Sequence, residues 1–129
     1  MPRPGVRRDR GARWGAMSLK DRSCKPCKKG APPLGEPEIA LLAPEVRDWT
    51  VSAPDPAKPR RLDRRFEFKN FLGSMAFLNL VAGLAEAEQH HPDLCVHYNR
   101  VDVSLSTHDV NGLSENDFIL AAKIDAAIA

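Results

Sequence analysis

Residues 62–107 read LDRRFEFKNFLGSMAFLNLVAGLAEAEQHHPDLCVHYNRVDVSLST, and the changes of hydrophobic period within this stretch decide the fold. Leu62–Phe68 alternates, with Phe66 and Phe68 on one face and Arg65 and Glu67 on the other, as a half-buried strand does. Asn70 suits an N-cap. After it Phe71, Leu72, Met75, Leu78, Val81, Ala82 and Ala85 recur at three- and four-residue steps, predicting an amphipathic helix to about Glu88. Pro92 limits that helix, because the residue before a proline is pushed out of helical geometry. Leu94–Tyr98 predicts another strand and Val101–Thr107 a last one, with Val101, Val103 and Leu105 facing one side. Asn99-Arg100 is expected to be the tight turn between them.

Working outward, Glu36–Leu42 predicts a short helix. Pro37 sits in its first turn, Ile39, Leu41 and Leu42 form an apolar patch, and Pro44 follows as a stop. Trp49–Ser52 reads as a first strand. Ala53–Pro59 is a turn, since three prolines do not fit a ladder. On the far side, Gly112 allows a sharp turn, and Ser114 with Asp117 three residues on resembles a capping box. The helix it opens runs to about Ile128. Phe118, Ala121, Ala122 and Asp125 share its faces, and Ile124 and Ile128 are expected on the buried side. The order is α-β-β-α-β-β-α. Two hairpins separated by a helix imply an α+β fold: a four-stranded antiparallel sheet with helices packed on one face. Asp102 and Ser104 fall on the other face, expected to be solvated or covered in an oligomer.

A length of 129 residues supports one domain, and 43% hydrophobic residues suffice for a core. No apolar run approaches about 20 residues, so no membrane-spanning helix is expected. The net charge of +2 conceals an asymmetry. Residues 1–30 hold ten Lys/Arg against two acids, whereas residues 31–129 hold nine against fifteen. The body is therefore mildly acidic, which argues against a nucleic-acid-binding domain. Residues 1–33 lack hydrophobic periodicity and are expected to be a flexible basic arm, with residues 34–129 as the domain. The arm has no apolar core of a secretory signal. Its arginines suit a transit peptide, but its Gly/Pro content and Asp9 do not, and Met17 is an alternative start. Three cysteines without a secretion signal point to a reducing, cytoplasmic setting. Cys24-Lys-Pro-Cys27 is a lone CxxC followed by Pro32-Pro33, not by the helix a redox motif needs, and is read as a tethered loop with two unpaired thiols.

The chemistry concentrates elsewhere. Three of the four histidines, His90, His91 and His108, fall in the second half with Glu86, Tyr98 and Asp117 around them. Histidine exchanges protons near neutral pH. His90 and His91 follow the long helix, whose C-terminal end favours positive charge. Glu86 lies one turn before His90, at the i, i+4 spacing from which it could orient that ring. His108 ends the last strand. If the last two strands pair as a hairpin, the start near His91 and the end near His108 meet at one end of the sheet, within reach of one small ligand. His97 is mid-strand and read as structural. Tyr98 is read as packing, and Asp117 as a cap residue that could also orient His108. Adjacent histidines project differently, so no metal site is expected.

The segments Glu86-Ala-Glu-Gln-His90-His91-Pro92, Tyr98, Leu105-Ser-Thr-His108-Asp109 and Gly112-Leu-Ser-Glu-Asn-Asp117 together resemble the pterin-4a-carbinolamine dehydratases, from about Gly35 to the C-terminus. The resemblance implies the same α+β architecture. It also implies removal of water from a 4a-hydroxytetrahydropterin to give a quinonoid dihydropterin, with no metal, nucleotide or redox cofactor. On this likeness His90 and His108 would be general acids. His91 would bind the pterin ring and assist as base, supported by Glu86. Ser106, Thr107 and Asp109 would line the pocket, and Gln89 and Pro92 belong to the substrate site. Gln89 departs from the Asp of better-known animal members. The implied partners are the pterin substrate, further copies in a homodimer or homotetramer, and functionally an aromatic amino-acid hydroxylase; neither membrane nor nucleic acid is among them. Alternatives are a non-catalytic pterin-binding or scaffolding protein of the coactivator type, or a divergent member in molybdopterin metabolism.

Overall fold

The computed structural model of the chain describes residues 17–129. Helix α1 (Glu36–Leu42) leads through a 3-10 turn, Ala43–Val46, to strand β1 (Thr50–Val51). Strand β2 (Leu62–Glu67), helix α2 (Phe71–Glu88), strands β3 (Asp93–His97) and β4 (Arg100–Leu105), and helix α3 (Glu115–Ile128) follow. The sheet order is β1-β2-β4-β3, antiparallel throughout. This is the expected α+β architecture, with strand ends shifted by a residue or two.

The register shows why. His97 pairs with Arg100, so the hairpin loop is Tyr98-Asn99, one residue earlier than expected. Tyr98 takes the left-handed conformation there, with φ of 50°. Asp93 pairs with Ser104 at the opposite end, which brings the segments after α2 and after β4 together as the hairpin argument required. Val101, Val103 and Leu105 are buried, while Asp102 and Ser104 point to the polar face. On that face Arg65 Nε donates to Asp102 at 2.8 Å, and this hydrogen bond holds the Asp102 carboxyl below its ordinary range.

The buried face of α2 differs from the expected stripe. Ser74, Phe77, Val81 and Ala85 are buried, whereas Phe71, Leu72 and Leu80 are exposed. Apolar residues occur all round this helix, so periodicity could not choose a face. Packing against β4 and the Phe66 ring, 4.5 Å from that of Phe77, made the choice. Ser74 is buried because its hydroxyl donates to the Tyr98 carbonyl at 2.7 Å. By length and composition α2 could cross a membrane, contrary to the expectation from run lengths. Here its buried residues form the helical layer over the sheet. Ile128, expected on the buried side of α3, is 40% exposed; the core contribution of that helix ends at Ile124.

The largest departure lies before α1. Residues 17–33, expected to belong to a flexible arm, form a strap docked on the domain. Leu19 is fully buried in the same core as α3. Arg22 donates to Glu115 at 2.5 Å, Lys123 Nζ to the Lys20 carbonyl at 2.9 Å, and Gly30 N to the Asp109 carbonyl at 2.8 Å. Residues 1–16 of the expected arm lie outside the described residues. The strap has no periodicity of its own because side chains from distant elements hold it.

Candidate active site

Helix α2 ends with Gln89 in the left-handed conformation at φ 53°, and the His90 N–H closes the helix by donating to the Ala85 carbonyl at 3.1 Å. That turn rotates the following chain off the helical lattice, which removes the i, i+4 relation expected between Glu86 and His90. Glu86 instead meets His91, with Oε2 2.7 Å from Nε2, and both side chains are solvated.

His90 turns inward to Asp117. Its Nε2 lies 2.6 Å from Asp117 Oδ1, with the imidazole 11% exposed and the carboxylate fully buried. The other oxygen, Oδ2, accepts from the Thr107 hydroxyl at 2.7 Å and from Ser114 N at 2.9 Å. Asp117 therefore serves both as the cap residue foreseen and as the orienter of an imidazole, but of His90 and not His108. The buried Asp117 carboxylate, which also accepts from Thr107 and Ser114, holds the His90 ring through Nε2.

Beside this pair opens a cavity of about 470 Å³, within the usual range for small-molecule sites. Gln89, His90, Thr107 and Asp109 line it. Pro92, His91, Ser106 and His108 are not among its lining residues. Ser106 is committed elsewhere, its hydroxyl donating to the Arg60 carbonyl at 3.0 Å. His108 is exposed at the start of the 3-10 turn His108–Val110, between two lining residues. His97 lies on β3, 3.4 Å from Cys95 Sγ and away from the cavity. Among the described residues, no group of three or more His, Cys, Asp or Glu side chains could hold a metal ion.

The remaining wall was not foreseen. Cys24, Lys25, Pro26 and Cys27 line the cavity together with Glu88 and Asn116. The CxxC was visible in the sequence, but its partners lie 64 to 92 residues away, and no local pattern links them. Glu88 Oε1 accepts from Cys24 N at 2.7 Å, and this backbone donor holds the Glu88 carboxyl below its ordinary range. Burial, with Glu88 adding to it, pushes the Cys24 thiol up to about 12.

The fold is an antiparallel α+β domain that sets a histidine–carboxylate pair beside a small cavity. Residues 32–127 match the family Pterin 4 alpha carbinolamine dehydratase, and the chain belongs to that family. Curated relatives bearing the family's name occur in Stenotrophomonas maltophilia strain R551-3, 50% identical over 85% of this chain and 91% of the relative, and in Halorhodospira halophila, 42% identical over 85% and 97%. The crystal structure of a transcriptional coactivator/pterin dehydratase from Brucella melitensis superposes with a TM-score of 0.66 at 33% identity, covering 75% of this chain and 99% of that one. A pterin dehydratase-like protein identified as a RuBisCO assembly factor in the alpha-carboxysome is similar at 28% identity and a TM-score of 0.51, over 61% of this chain and 87% of that one.

Proposed function

We propose that this chain is a 4a-hydroxytetrahydropterin dehydratase, a carbon–oxygen lyase that returns the spent pterin coenzyme of an aromatic amino-acid hydroxylase to the quinonoid dihydropterin. The observation that carries the reading is His90, held on Asp117 at the wall of a cavity of about 470 Å³. The C4a–O bond breaks, a general acid protonates the departing hydroxyl, and a base takes a ring-nitrogen proton, so water and the quinonoid product balance the substrate. His90, which lines the cavity, is the proton-exchanging residue. On the family likeness His108 serves as the second acid and the Glu86-paired His91 as the pterin-binding base.

The test is direct. The purified chain is mixed with enzymatically generated 4a-hydroxytetrahydropterin, and quinonoid dihydropterin is followed by absorbance. Catalysis above the spontaneous rate supports the reading, and a rate equal to buffer rejects it.

A second reading has its own observation. Strand β3 is exposed along its whole length at the sheet edge, and Leu72 and Leu80 of α2 are exposed. Such surfaces favour pairing with further copies or a protein partner. This fits a homodimer or homotetramer. It would also serve a role with a protein partner, as the coactivator and assembly-factor names of the two solved relatives suggest.

A further inference from the structure

The cavity beside His90 has one wall from the segment before residue 32, where the match to the family model begins. The alignments with the Stenotrophomonas and Halorhodospira relatives, over 85% of this chain, extend across that segment. The wall is the segment Ser23–Cys27.

It is built, not merely adjacent. Asn116, 8% exposed, clamps it: Oδ1 accepts from Lys25 N at 2.9 Å, and Nδ2 donates to the Lys25 carbonyl at 2.6 Å and to Cys27 Sγ at 3.4 Å. The Cys24 thiol donates to the Asn116 carbonyl at 3.6 Å, and Glu88 accepts from Cys24 N. Asn116 immediately precedes Asp117, which holds His90, and Glu88 stands two residues before His90. The two short segments that position the imidazole thus position the strap as well. Pro26 fixes φ at the middle of the wall. Cys24 stays a neutral thiol, so this sulfur contributes surface and not a nucleophile.

We propose that the Ser23–Cys27 strap is a substrate-contacting wall of this pocket, with Cys27 against the bound pterin and Asn116 as the positioning residue that holds the wall in place. The inference rests on the dehydratase reading and adds to it where the ligand is held. The wall acts in binding, while proton transfer remains with the histidines.

The full-length chain is alkylated with iodoacetamide, with and without a dihydropterin, and each thiol is followed by site-resolved mass spectrometry. At ten times Kd, mass action leaves roughly one site in eleven free, so alkylation of Cys27 should slow about tenfold. Cys95, exposed on β3 and not lining the cavity, should react at an unchanged rate. Asn116→Ala, checked for a native circular dichroism spectrum, should raise KM about tenfold while kcat falls less than about threefold, the pattern of lost uniform binding. If the dihydropterin binds and turnover proceeds but Cys27 reacts at the same rate, the wall is refuted and the dehydratase reading stands. If no pterin binds and none is turned over, both fall. If Asn116→Ala unfolds, the protection of Cys27 in the native chain decides alone.

Discussion

His90 Nε2 and Asp117 Oδ1 stand 2.6 Å apart, joining the end of α2 to the first turn of α3 across 27 residues of chain. Removing the carboxylate strands the imidazole, the Thr107 hydroxyl and Ser114 N at once. Asp117→Ala should therefore destabilise the fold by about 3 kcal/mol, from three lost hydrogen bonds at roughly 1 kcal/mol each or more. Urea denaturation checks this; a change under about 1 kcal/mol would mean the site relaxes around the loss.

His90→Ala and His108→Ala should each slow dehydration by on the order of 10²–10⁴, or less where they share the role. His97→Ala should leave the rate near the native value, because its ring sits against Cys95 on the edge strand. Stopped-flow rates on the three variants separate site from scaffold, and an equal loss at His97 would remove the basis for the division.

Leu19 is fully buried, so the strap contributes to the core. Leu19→Ala should cost about 2–5 kcal/mol, the usual range for a buried leucine. Thermal or urea unfolding measures it. A change below about 0.5 kcal/mol, the scale of ordinary surface substitutions, would show a loosely seated strap.

Strap docking should also depend on pH at both ends. The Glu88 carboxyl is lowered from its ordinary 4.5 by the Cys24 N–H. Its contribution is thus present above that value and disappears as pH falls through the lowered one. The Cys24 thiol is raised from 9.0 to about 12, so its contribution is full below 9 and disappears as pH rises toward 12. At pH 8 Cys24 should react with iodoacetamide at least about tenfold more slowly in the folded chain than in guanidinium, because only thiolate attacks. Equal rates would contradict its burial beside Glu88.

The edge strand β3 and the exposed leucines of α2 predict an assembly of even order, since closed two-fold symmetry is the default for one chain. Light scattering at micromolar concentration should give a dimer or tetramer mass; a single monomeric species would refute it.

Alternation in Leu62–Phe68 and in Val101–Leu105, the Asn70 cap and the Ser114–Asp117 pair were local signals, and the sheet, its hairpins and the helix starts follow from them. So does the grouping of Gln89, His90, Thr107 and Asp109 at one cavity, because antiparallel register carries the end of α2 to the end of β4. Partner choice was decided in three dimensions. The left-handed turn at Gln89 gave Glu86 to His91 and sent His90 to Asp117. The strap docked through Leu19 in the core and through hydrogen bonds to Glu88 and Asn116, contacts with no periodic trace in the chain. Periodicity reports which residues share a face over a few turns, whereas which distant side chains satisfy a buried carboxylate or an extended backbone depends on how the packed elements meet.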